Sequence, residues 1–254
     1  MTAAARAAHR GGPAAIGGDL RRFWALTWTL AVTDFKLRFF GSVLGYLWTL
    51  IRPLMLFGVL YFVFTQVIPI GKDVEHYEVY LLTSIVLFTF FSEATSSGVQ
   101  CFLHRENLLR KMPFPRLVIP LSVVLTSLFN LGTNLLAVFV FTLASGVEPR
   151  LSWLELPLLV GALTVLALGL AMLLSALYVR YRDISPIWDV ALQLFFYGSP
   201  VLYVAGALPE SIRREMMANP IAVVLTQMRH ARGDRLGRVV RPAIVVPGMP
   251  QRGC

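Results

Sequence analysis

The chain has 254 residues, of which 56% are hydrophobic and only 15% charged, and its mean hydropathy is +0.67. A soluble domain carries about 25% charged residues, and here the few charges are gathered into clusters that leave long uncharged runs between them, with no room for a separate soluble core. The net charge of +9 does not point to nucleic acid, because the basic residues flank apolar runs, as in the cytoplasmic loops of membrane proteins, and do not build one basic face. Two cysteines, Cys101 and Cys254, make no disulfide framework, and Cys101 is read as a free thiol.

In chain order, residues 1–18 are rich in Ala and Gly, hold Arg6 and Arg10, and show no periodic apolar face; they are expected to be a disordered tail. No apolar core follows the early arginines, so a signal peptide is not expected. Residues 19–40 mix Trp24, Leu26, Trp28, Leu30, Phe35, Leu37 and Phe39 with Arg21, Arg22, Lys36 and Arg38. Two readings are open to them: an amphipathic helix lying in the headgroup region, or ordinary juxtamembrane sequence.

A spanning helix needs about 20 mostly apolar residues. Pro53–Gly71, Leu117–Val147, Leu156–Val179 and Val190–Pro209 meet this length, and Val79–Ser92 does so only by continuing past Glu93 to about Val99. The expected fold is all-α, a polytopic helix bundle with about five visible spans and no internal repeat. Placing the N-terminus in the cytoplasm puts 12 Lys and Arg residues in the inner segments against 4 in the outer loops, so the positive-inside rule favours that topology, although with five spans the basic C-terminal tail would then sit outside, against the rule.

No nucleotide-cradling glycine loop, zinc motif or paired Cys-x-x-Cys is present, and His9, His76, His104 and His230 are scattered along the chain. No catalytic, cofactor-binding or metal-binding residue is therefore assigned, and no ATPase is expected on this chain.

Three local patterns carry more. Arg38 to Trp48 contains Gly41-x-x-x-Gly45, a spacing that permits close approach of helices, with Tyr46 and Trp48 as headgroup anchors and Arg52 near the inner end. His104 to Arg116 is a short charged segment between two spans, read either as a solvated loop or as a helix that docks in a groove of a cytoplasmic partner; Arg105, Glu106, Asn107, Leu108, Arg110 and Lys111 are its docking candidates. Val179-Arg-Tyr-Arg-Asp183 would cap the fourth span, and Ser199-Pro200 would kink or end the fifth.

Taken in order, Gly41-Ser-Val-Leu-Gly-Tyr-Leu-Trp48, Asn107-Leu-Leu-Arg-Lys-Met-Pro-Phe-Pro115, Ser175-Ala-Leu-Tyr-Val-Arg-Tyr-Arg-Asp183, Ser199-Pro-Val-Leu-Tyr203 and Asn219-Pro220 resemble the membrane subunit of type-2 ABC exporters for polysaccharides, the family of O-antigen, teichoic acid and cell-wall galactan permeases. The resemblance covers residues 19–230. It implies a homodimeric permease in the inner membrane of a bacterium, an N-terminal interfacial helix, six spans, and a coupling helix between spans two and three. It also implies separate ATP-binding cassette subunits that carry ATP and Mg, and a lipid-linked glycan as substrate.

Residues 231–254 depart from the family. Six arginines fall between Arg229 and Arg252, with Pro242, Pro247 and Pro250 among the last of them, where the family continues into a sixth span. The expectation is an atypical basic tail produced by a frameshift or truncation.

For a glycan path the expected lining is aromatic and polar rather than charged, because sugars stack on aromatic faces and hydrogen-bond at their edges. The candidates are Phe88, Phe90, Phe91, Phe195, Phe196, Tyr197 and Tyr203, each of which could equally face lipid or pack in the core. Three rival readings stand beside this one. An exporter of drugs or small lipids would look alike in sequence. A membrane glycosyl- or acyltransferase needs a carboxylate or His cluster at one face. A proton-coupled carrier favours ionisable groups in mid-membrane, whereas Glu93 and Asp189 are expected near the inner ends.

Overall fold

The computed structural model describes residues 20–38, 40, 45, 47–67, 77–106, 115–144 and 155–199. The expected tails (1–18 and 231–254), most of the expected docking segment, Gly41, Tyr203 and Asn219-Pro220 lie outside the described residues.

Among the described residues every regular element is helical: α1 (Leu20–Arg38), α2 (Leu47–Phe62, continued by a π-helical turn over Val63–Val67), α3 (Tyr77–Val99), α4 (Cys101–His104), α5 (Val118–Ala144), α6 (Glu155–Arg180) and α7 (Ile184–Gly198). Four segments are long and apolar enough to cross a membrane: Leu47–Val67, Tyr77–Val99, Val118–Leu143 and Leu156–Arg180. The chain is thus a polytopic helical bundle. Of the expected fifth span only the first half is described. Its helix starts at Ile184, earlier than expected, with Pro186 in its first turn, where a proline costs no hydrogen bond. It stops at Gly198, because Ser199 precedes Pro200 and takes the extended backbone that a following proline imposes (φ −93°, ψ 154°).

The centre of the bundle is α3, whose most extensive neighbours are α5 and α6. It runs without a break past Glu93 to Val99, the length that spanning requires. Tyr77, Leu81, Leu82, Ile85, Leu87 and Phe91 are fully buried along it. The small residues Ala94 and Gly98 on α3, and Ala167, Ala171 and Ser175 on α6, recur every four residues and are all buried. They form a seam along which two backbones come close, the usual device where no water is available to drive helices together. Hydroxyls inside the helices bond the carbonyl one turn back, as Thr83 does to Val79 (2.6 Å) and Thr142 to Val138 (2.7 Å), so they carry no unmet donor into an apolar medium.

Helix α1 lies on α5 through Phe23, Thr27 and Ala31, spaced i, i+4, i+8. The Thr126 hydroxyl of α5 donates to the Ala31 carbonyl at 3.2 Å. The large apolar residues Leu20, Trp24, Trp28 and Leu37 stay exposed on the isolated chain. Helix α2 is the least buried of the four candidate spans: 6% of its most apolar stretch is buried, against 72% for α3, and Phe57 and Leu60 pack partly buried against the core.

Gly45 has a φ of +45°, a left-handed conformation in a turn just before α2, which a glycine adopts without strain. Trp48 stands in the first turn of α2 and is exposed.

Candidate functional site

A cavity of about 1360 Å³ opens between α2, α3, α5 and α7. Each wall follows from helical spacing. Thr89, Ser92, Glu93, Ser96 and Ser97 form a polar stripe on α3; Asn130 and Asn134 are one turn apart on α5; Thr49, Arg52 and Leu56 face it from α2, and Asp189, Gln193, Phe196 and Tyr197 from α7. A polar stripe on an otherwise apolar spanning helix faces protein or a water-filled space.

Glu93 organises the polar wall. One of its carboxylate oxygens accepts from the Arg38 guanidinium at the end of α1 and from the Asn130 amide of α5 at 2.6 Å. A carboxylate inside a spanning helix is costly unless paired, and this pairing ties α1, α3 and α5 together at one atom. The Asn130 Oδ1 is buried and has no hydrogen-bond partner among the described residues. Burial and then the neighbouring Arg52 charge hold the Arg38 guanidinium below its ordinary pKa, and both cations line the cavity.

The aromatic candidates divide. Phe88, Phe196 and Tyr197 line the cavity, with Phe88 and Phe196 edge to face at 5.0 Å between ring centres. Phe90 and Phe91 are core residues, 2% and 1% exposed, and do not reach it. Phe195 lies on the outer side of α7 against Trp188. The lining also departs from the expected uncharged character: Arg38, Arg52, Glu93 and Asp189 all contribute to it. The stripe of Thr89, Ser92, Glu93 and Ser96 and the pair Asn130/Asn134 were the sequence signals for this cavity, and a search for aromatic residues passes over them.

Of the docking candidates, only Arg105 and Glu106 fall among the described residues. Arg105 is turned inward: its guanidinium pairs with Asp34 of α1 and donates to the Ser122 hydroxyl of α5 at 3.2 Å. Burial lowers its pKa from the ordinary value.

The chain belongs to the ABC-2 type transporter family, whose model matches residues 25–231. Among its relatives, the O-antigen export system permease protein RfbA of Klebsiella pneumoniae is 29% identical over 197 residues, covering 77% of this chain and 75% of the relative. RfbA of Myxococcus xanthus is 29% identical over 210 residues, covering 82% of this chain and 80% of the relative. The polysialic acid transport protein KpsM of Escherichia coli is 21% identical over 207 residues, covering 80% and 79%.

Proposed function

We propose that this chain is the permease subunit of an ATP-driven exporter that moves a lipid-linked polysaccharide across the cytoplasmic membrane of a bacterium. The observation that carries the reading is the match to polysaccharide-export permeases over most of both chains, and a cavity rich in hydroxyls, amides and exposed aromatic groups supports it. Sugars offer many hydroxyls and flat apolar faces, and Ser92, Ser96, Asn134, Gln193 and Tyr197 present the complementary groups. ATP, with Mg, binds a separate cassette subunit that docks on the segment after Glu106. Two copies of the permease form the pathway, and the bare face of α2 supports a second copy beside it. The N-terminus is cytoplasmic, which puts α1 at the inner interface with Trp24 and Trp28 facing lipid.

The test is deletion of the gene in its own host. Surface polysaccharide should disappear while lipid-linked polymer accumulates at the inner face, and expression from a plasmid should restore export. Unchanged surface polymer in the deletion strain would reject the reading. Loss of drug or small-lipid efflux, with polymer unaffected, would favour an exporter of that class.

A further inference from the structure

Two ion pairs of opposite polarity meet on one helix. Asp34 and Arg38 lie one turn apart on α1, about 6 Å along its axis. Asp34 takes Arg105, just past α4, and Arg38 takes Glu93 on α3. These partners stand on either side of a break in the helix: α3 ends at Val99, Gln100 is a turn residue (φ −96°, ψ 5°), and α4 starts at Cys101. At this break the Gln100 amide donates to the Ser185 hydroxyl of α7 at 3.0 Å. Each pair has a more buried member and a more open one: Arg105 is 14% exposed against 33% for Asp34, and Glu93 23% against 36% for Arg38, and each of the more buried members has a second partner on α5, Ser122 and Asn130 respectively. Helix α1 itself is fastened to α5 by its buried stripe and by the Thr126–Ala31 hydrogen bond.

We infer that α1 is a strut that joins the exit of the cytoplasmic loop to the wall of the cavity, with Asp34 and Arg105 as positioning residues at one end and Arg38 and Glu93 at the other. A displacement of the chain beyond Glu106 pulls on Arg105, then on Asp34, and reaches Glu93 one turn further along α1. Glu93 sits in the polar stripe of the cavity, so the strut passes motion of the loop to the substrate-facing surface. The inference rests on the reading that a cassette subunit docks on that loop.

The experiment uses the permease co-purified with its ATP-binding subunit and reconstituted in lipid vesicles, in a C254S background. A cysteine at the cavity (Ser96→Cys) reports accessibility to an impermeant maleimide, with and without ATP plus vanadate. Cys101 is buried and stays silent. With the strut intact, trapping should change the labelling rate about tenfold, within the range of coupling between distant sites. Asp34→Arg or Arg105→Asp alone should reduce that change to less than about twofold, with ATP hydrolysis retained. The double exchange D34R/R105D restores the pair, since the Ser122 hydroxyl can donate or accept, and should recover the nucleotide response; the conservative Arg105→Lys should keep it. The inference is overturned if the single variants keep the full response, if the exchange and Arg105→Lys behave like them, or if the intact complex shows no response. If no ATP-hydrolysing partner co-purifies, the functional reading falls as well, which separates the two failures.

Discussion

Gly98 of α3 and Ala171 of α6 touch at the backbone: a Cβ added to Gly98 would lie 2.5 Å from the Ala171 Cβ and 3.0 Å from its Cα. The seam therefore admits no side chain at position 98 unless the two helices move apart. Overpacking of this kind costs about 1–3 kcal/mol. Gly98→Ala should lower the melting temperature of the detergent-solubilised protein, and Gly98→Val should lower it further. Since the first clash is with a methyl group, Ala171→Gly introduced beside Gly98→Ala should recover most of the loss. A Gly98→Val protein that melts like the parent would refute the seam.

Phe91 and Tyr197 are both aromatic, but removal should affect different properties. Phe91→Ala opens a void in the core beside α3 and should destabilise by about 3–5 kcal/mol, read as lost thermal stability and low yield in the membrane. Tyr197 is 67% exposed at the cavity, and Tyr197→Ala should leave stability within about 0.5 kcal/mol while lowering polysaccharide export. The reverse pattern would mean that the cavity is not the substrate-facing surface.

The Trp188 indole N–H donates to the Thr95 hydroxyl at 3.0 Å, and that hydroxyl donates in turn to the Phe91 carbonyl at 2.8 Å. This short chain holds α7 to α3. Thr95→Val leaves the indole donor unmet at a cost of about 1–3 kcal/mol, whereas Trp188→Phe in the same background removes the orphan. A double-mutant cycle on thermal unfolding should therefore give a coupling of about 1 kcal/mol; additive effects would show that the bond carries no net stability.

The Cys101 thiol gives the chain a pH dependence on the alkaline side. Burial above all pushes its pKa from 9.0 up to about 11, against partial relief from the Ser175 side chain and nearby backbone. The folded protein keeps its proton where the unfolded chain has lost it, so stability conferred at lower pH declines as pH rises from about 9 to about 11. The loss should be about 1–2 kcal/mol and absent from Cys101→Ala, measured by comparing the two unfolding curves across that range. The same burial should keep Cys101 unlabelled by maleimide in the native protein at pH 7 and let it react once detergent denatures the chain. It is consequently a poor reporter of which side of the membrane the loop occupies.

The bundle was legible in the sequence wherever hydrophobic length alone decides structure. The span through Glu93 is the instructive case, since the uncharged run Val79–Ser92 is too short and only continuation to Val99 lets it cross. What makes Glu93 tolerable there is a guanidinium from Arg38 and an amide from Asn130, residues far away in the chain, and no local pattern announces that meeting. The cavity was half legible. Phe88, Phe196 and Tyr197 lie on it, but Phe90 and Phe91 share their chemistry and face the core, because one residue along a helix turns the side chain by about 100°. Gly41-x-x-x-Gly45 has the spacing of a helix contact, and Gly45 stands in a turn with a left-handed φ. A close approach within the bundle falls at Gly98 and Ala171, where the alanines of α6 look like ordinary helix formers until a glycine is set opposite them.

Helix α2 forms one wall of the cavity through Trp48, Arg52 and Leu56 and rests on its own chain chiefly through partly buried residues such as Phe57 and Leu60. The remaining walls rest on helices locked by ion pairs, hydrogen bonds and the small-residue seam. This wall leans on whatever adjoins it, so the volume available to a cargo is a property of the neighbourhood as much as of the sequence.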